Sequence, residues 1–118
     1  VSGEYCGGFS TGYCGEFAAA LHGLTGYPIV AYYDSEGRLA HATVAPSKKT
    51  RIDEHGTSKA ADMLADIKSW NAGRVTQRQI TVDELDAESM EGLLPDIVEA
   101  AKNKILQNPK KYGITKAI

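Results

Sequence analysis

The chain has 118 residues, 42% of them hydrophobic and 24% charged. That is the size of one domain with about 50 residues for a core, which excludes a wholly disordered chain and removes the need for a metal or disulfide staple. Thirteen Lys and Arg against fifteen Asp and Glu leave a net charge of −2, unlike a basic nucleic-acid module, and no apolar run approaches the ~18 residues of a membrane-spanning helix. Because the sequence opens at Val1 without a signal peptide, it is expected to be the C-terminal piece of a longer polypeptide or a processed product.

Residues 1–13 are dense in glycine and carry Tyr5, Phe9 and Tyr13, so they read as an irregular N-terminal loop. From Cys14 the apolar positions Cys14, Phe17, Ala18 and Leu21 follow the i, i+3, i+4, i+7 spacing of a helix face, which predicts a helix over 14–23. Ser10 and Thr11 are candidate caps, Glu16 suits the first turn, and Gly23, Gly26 and Pro28 end the helix. The β-branched and aromatic run 29–33, turn residues 34–37 and a second run over 39–44 predict a hairpin. Strict alternation would place Leu39, His41 and Thr43 on one face of that second strand and Ala40, Ala42 and Val44 on the other.

After a loop at 46–49, residues 50–53 suit a short third strand. An amphipathic helix is expected over 58–71, with Ala60, Met63, Leu64, Ile67 and Trp70 inward and Gly73 closing it. Residues 74–82 read as a moderately exposed strand. Asp83 and Glu84 open a further helical stretch, and Pro95 starts a separate helix to about residue 107, with Pro109 and Gly113 beyond. Between 83 and 99 there are seven acids and no base; between 102 and 116 there are five lysines and no acid. Solvated helix faces explain this split most simply, and an acidic patch for a basic partner is the sharper alternative. These elements predict a single α+β domain over 1–118.

The glycine-rich start lacks the spacing of a phosphate loop, and Cys6, Cys14, His22, His41 and His55 lack zinc-ligand spacing, so no metal and no cofactor are expected. Cys14 is the residue with chemistry. At the first turn of a helix, unpaired N–H groups and the macrodipole stabilise a thiolate, the nucleophilic form of cysteine. Its bland alternatives are a small buried core residue and a short Cys6–Cys14 disulfide.

A nucleophilic cysteine needs a base. His22 lies eight residues along the same helix, about 12 Å away, and reads as a surface or capping residue. His41 is on the hairpin strand that follows the helix and can reach the thiol; His55, beside Gly56 in a loop, is the reserve. Asp53, twelve residues after His41, can orient the ring if its segment pairs beside the His41 strand, or it can simply start a turn. Glu54 would point the other way.

The stretch from Gly12-Tyr13-Cys14-Gly15-Glu16-Phe17 to His22, then Thr25-Gly26-Tyr27-Pro28, His41 and Ile52-Asp53, resembles the papain-like and transglutaminase-like cysteine enzymes. More narrowly it resembles the papain-fold domains at the C-termini of bacterial polymorphic toxins, including contact-dependent growth inhibition effectors. The resemblance covers about residues 10–56. It implies a papain-like α+β core, with an N-terminal helix on a small antiparallel sheet and additional helices. It also implies Cys14 as nucleophile, His41 as general base and acid, and Asp53 as orienting group. Acyl transfer on a protein target follows: proteolysis, glutamine deamidation or transglutamination. As a toxin domain, the chain would be delivered from a bacterial surface protein into a target-cell cytoplasm and bound by a cognate immunity protein.

Two departures stand beside this resemblance. The glutamine that papain-type proteases place before the cysteine is missing, and the C-terminal half matches no pattern of the family. Tyr5, Phe9 and Tyr13 are the candidate substrate-binding residues. Other readings are a catalytically silent interaction domain that binds through 83–99, and a cysteine hydrolase of small molecules or lipids.

Overall fold

The computed structural model describes residues 13–71, 74–89 and 92–114. Helix α1 (Cys14–Thr25) is followed by strands β1 (Ile29–Tyr33), β2 (Leu39–Ser47), β3 (Thr50–Asp53) and β4 (Gly56–Lys59). Helix α2 (Ala60–Trp70), strand β5 (Thr76–Ile80), helices α3 (Val82–Glu88) and α4 (Pro95–Gln107) and a 3₁₀ turn (Pro109–Tyr112) complete the order. The architecture is α+β: an N-terminal helix and further helices packed on one five-stranded sheet of order β4-β3-β2-β1-β5. Every pairing in the sheet is antiparallel.

Two apolar layers hold the sheet. On one face Phe17, Ala20 and Leu21 of α1 and Ala101 and Ile105 of α4 meet Ile29, Ala31, Ala42, Val44, Ile52 and Ile80 of the strands. On the other, Met63 and Ile67 of α2 meet Val30, Tyr32 and Ala45. Burying one such large apolar side chain contributes about 1.5–3 kcal/mol, so the first, larger layer dominates stability and fixes α1 against the sheet.

Helix α1 runs two residues past Gly23 and stops at Gly26, whose φ of +76° needs no Cβ and whose N–H bonds the His22 carbonyl at 2.8 Å. Its N-cap is Tyr13, with no side-chain cap, so neither Ser10 nor Thr11, which lie outside the described residues, occupies the capping position. β2 extends beyond 44 to Ser47. The segment 56–59 is a strand, not the start of the helix: Asp53 pairs with Gly56 and Thr50 with Lys59 across a tight turn. Helical spacing of apolar residues over 58–71 concealed this four-residue edge strand. Trp70, expected inward, is 42% exposed at the end of α2.

The alternation expected in β2 is broken. Tyr32 pairs with His41 and Tyr33 with Leu39, which makes Ala40 the extra residue of a β-bulge. Leu39 therefore packs with Ala42 and Val44 in the first layer, while Ala40 joins the second. A bulge bends its strand and re-aims neighbouring side chains. This one immediately precedes His41.

Candidate active site

Cys14 is the first residue of α1. The first intrahelical bond is Phe17 N–H to the Tyr13 carbonyl at 3.1 Å, so the amides of Cys14, Gly15 and Glu16 precede any intrahelical partner and surround the thiol with positive potential. Cys14 is partly buried and packs against the first apolar layer, so it is not the fully buried core residue that the sequence left open; Cys6, the other half of the possible bridge, lies outside the described residues.

His41 and Asp53 arrive on neighbouring strands. They are 3% and 4% exposed, and His41 Nε2 lies 2.9 Å from Asp53 Oδ2. The thiol of Cys14 hydrogen-bonds the same ring. With Nε2 turned to the carboxylate, Nδ1 is the nitrogen left for sulfur. Burial alone would lower the imidazole pKa. The Asp53 carboxylate and the Cys14 sulfur, both hydrogen-bonding the ring and favouring its cation, outweigh burial and push His41 up to about 9. At neutral pH this favours the protonated ring beside the Asp53 carboxylate and the Cys14 sulfur.

Asp53 does both things its position allows. Oδ2 holds His41, while Oδ1 accepts the backbone N–H of His55 at 2.9 Å and closes the β3–β4 turn. The turn fixes the carboxylate, and the carboxylate fixes the ring. Glu54 points away, with Oε1 2.8 Å from Lys104 Nζ, and its carbonyl accepts the Tyr112 hydroxyl at 2.9 Å. His22, read from sequence as a surface or capping residue, lies in the last turn of α1 and bonds the Tyr27 carbonyl just beyond the helix through Nδ1 at 2.7 Å. His55 is an exposed turn residue that serves Asp53 through its amide, and it stands outside the Cys14–His41–Asp53 row.

A groove of about 520 Å³ opens beside the thiol, lined by Cys14, Gly15, Tyr33, Arg38, Leu39, Glu88 and Ser89 among others. Its far wall is a polar knot. The Tyr33 hydroxyl donates to Glu88 Oε1 at 2.6 Å, and Arg78 Nη2 donates to Tyr33 and to Glu88 Oε2, each at 3.2 Å. Sequence reasoning missed this wall because Glu88 and Ser89 lie some seventy residues from Cys14 with no motif linking them. Of the expected substrate-binding aromatics, Tyr13 is 37% exposed beside Cys14 but is not among the described groove-lining residues; Tyr5 and Phe9, like Cys6, fall outside the described residues. Among the described residues no three His, Cys, Asp or Glu side chains converge as a metal-ligand set, and no helix is long and apolar enough to cross a membrane.

No protein-family model matches the chain, and neither a curated protein nor a solved structure gives a match.

Proposed function

We propose that the chain is a papain-like cysteine acyl-transfer enzyme acting on amide carbonyls of a protein target. The observation that carries this reading is one buried imidazole held between the Asp53 carboxylate and the thiol that opens α1. In the proposed cycle the Cys14 proton resides on His41 and the thiolate attacks the carbonyl carbon. The Cys14 amide, at the positive end of α1, offers one donor to the developing oxyanion. His41 returns the proton to the leaving amine, and a thioester on Cys14 remains. His41, neutral again, removes a proton from water or from an amine as it attacks the thioester, and the thiolate leaves. Water gives proteolysis or glutamine deamidation; an amine gives a crosslink.

By its resemblance to polymorphic toxin domains, the chain is proposed to act in the cytoplasm of a competing bacterium after delivery from a longer surface protein. A cognate immunity protein would be its partner in the producing cell.

The test is iodoacetamide alkylation read by mass spectrometry at the Cys14 peptide, across pH 5–10. The proposal expects rapid labelling well below the ordinary thiol pKa of about 8.5, and a return toward ordinary behaviour in His41→Ala. An ordinary profile in the unaltered chain would leave a silent interaction domain as the better reading. Expression in bacteria followed by a search for deamidated, crosslinked or cleaved proteins then identifies the reaction and the target.

A further inference from the structure

Glu16 is a buried carboxylate that the proposed chemistry does not use. It sits two residues after Cys14 in the first turn of α1, is 3% exposed, and its Oε2 accepts the N–H of Leu94 at 2.9 Å. Leu94 is the N-cap residue of α4, seventy-eight positions away in the chain. Its neighbour Leu93 is held in the same manner, with its N–H 2.7 Å from Asp86 Oδ1 at the end of α3. Gly92 has a φ of +74°, and a Cβ there would stand 3.2 Å from that same Asp86 oxygen. Glycine at 92 therefore lets two successive amides face two carboxylates from different helices.

These bonds hold Leu93 and Leu94, which follow Gly92, whose N–H bonds the carbonyl of the groove-lining Ser89 at 3.1 Å. A Cβ on Gly15 would meet the Leu93 side chain at 3.4 Å, the Ser89 hydroxyl at 3.4 Å and Leu85 at 3.6 Å, so this chain segment packs directly on the turn that carries the thiol. Gly15 and Ser89 both line the groove. Asp86 secures the segment to α3, and Glu16 secures it by hydrogen bond to α1.

We infer that Glu16 is a positioning residue that sets the width of the Cys14 groove by tying the wall at Ser89 and Leu93–Leu94 to the first turn of α1. The inference rests on reading Cys14 as the nucleophile of a peptide-accepting groove, and it concerns what that groove admits, not whether the thiol is activated.

The experiment compares Cys14 alkylation in the whole chain by iodoacetamide, which needs no groove, and by fluorescein iodoacetamide, which must enter one. In Glu16→Ala the rate with the bulky reagent should rise relative to the small one by about fivefold, the order expected for releasing one hydrogen bond. Glu16→Gln keeps an oxygen acceptor and should restore the ratio to within about twofold of the unaltered chain. Leu94→Pro deletes the donor at a φ of −86°, which proline tolerates, and should reproduce the Glu16→Ala ratio even if that variant folds poorly. An unchanged ratio in Leu94→Pro or in folded Glu16→Ala overturns the inference, as does a Gln variant that behaves like Ala. Failure of the enzyme reading appears elsewhere, as an ordinary pH profile for iodoacetamide in the unaltered chain.

Discussion

His41 is the residue on which the site turns, because its ring answers to two partners at once. Cys14→Ala should remove activity by about four orders of magnitude or more while the fold persists, since the small side chain only borders the large apolar layer. His41→Ala should remove as much, with a loss of stability because the buried Asp53 carboxylate loses its partner. Asp53→Asn should cost less, because an amide oxygen still accepts from the ring, though with weaker charge stabilisation. Turnover on the identified target, with circular dichroism to establish folding, decides both; full toxicity of a folded Cys14→Ala chain would end the enzyme reading. The sign of the pH effect follows from a folded value of about 9 against an ordinary 6.5. Stability contributed by His41 is fully present below about 6.5 and is lost as pH rises through about 9. Thermal melts from pH 6 to 10 should therefore show a decline across that window that is weaker in His41→Gln. Catalysis that needs the imidazolium to protonate the leaving amine should fall over the upper part of the same window.

At the scale of elements, short devices decide where those residues stand. The β3–β4 turn needs Gly56, whose φ is +110° and whose missing Cβ would lie 3.0 Å from the Lys111 carbonyl oxygen. Gly56→Ala should cost about 1–3 kcal/mol through this strain. It should also reduce activity, because the turn carries Asp53. Denaturant melts alongside turnover check the two effects separately. Helix α3 starts with a capping box in which the Thr81 hydroxyl accepts the Glu84 N–H at 3.1 Å and Glu84 Oε1 accepts the Thr81 N–H at 3.1 Å. Thr81→Ala should cost about 1 kcal/mol, mainly in α3, which hydrogen exchange at its amides would detect. At Gly15 a methyl makes ordinary contacts, so Ala should be tolerated, whereas Leu would displace Leu93 and close part of the groove at a cost of about 1–3 kcal/mol.

Across the whole molecule, the two halves of the chain meet at the site although the resemblance covered only the first. Ile105 and Ala101 of α4 pack on α1, and the Tyr112 ring packs at a tilt on Phe17, 5.4 Å between centroids, while its hydroxyl donates to the carbonyl of Glu54. Ile105→Ala should cost about 2–5 kcal/mol and loosen the helix that presents the thiol. The proposed immunity protein offers a test at this scale. If it covers the groove mouth, Tyr13→Ala should weaken binding by the neighbouring gene's product at all salt concentrations. If it docks on the acidic side of α3, Asp83→Lys, an exposed position outside the groove lining, should weaken it mainly at low salt, because the Debye length is only about 8 Å at physiological ionic strength. No binding by either neighbouring product would count against the toxin assignment.

Periodicity alone determined α1, the β1–β2 hairpin, β3 and α4, because each has apolar spacing or turn residues that local physics reads in one way. The same local logic singled out Cys14 at a helix start, His41 on the second strand of the hairpin that follows and Asp53 on the strand after that. It misplaced residues 56–59, since four residues of edge strand carry less periodic signal than the helix they adjoin. It also missed the bulge at Ala40, which exists only because β1 and β2 pair out of strict register there. How Asp53 holds the His41 ring, that Glu88 and Ser89 line the groove beside Cys14, and that Leu94 is tied to Glu16 were decided by tertiary structure. Those contacts join residues twelve to seventy-eight apart in the chain, and their geometry comes from strand order and helix packing, quantities that no local run of sequence contains.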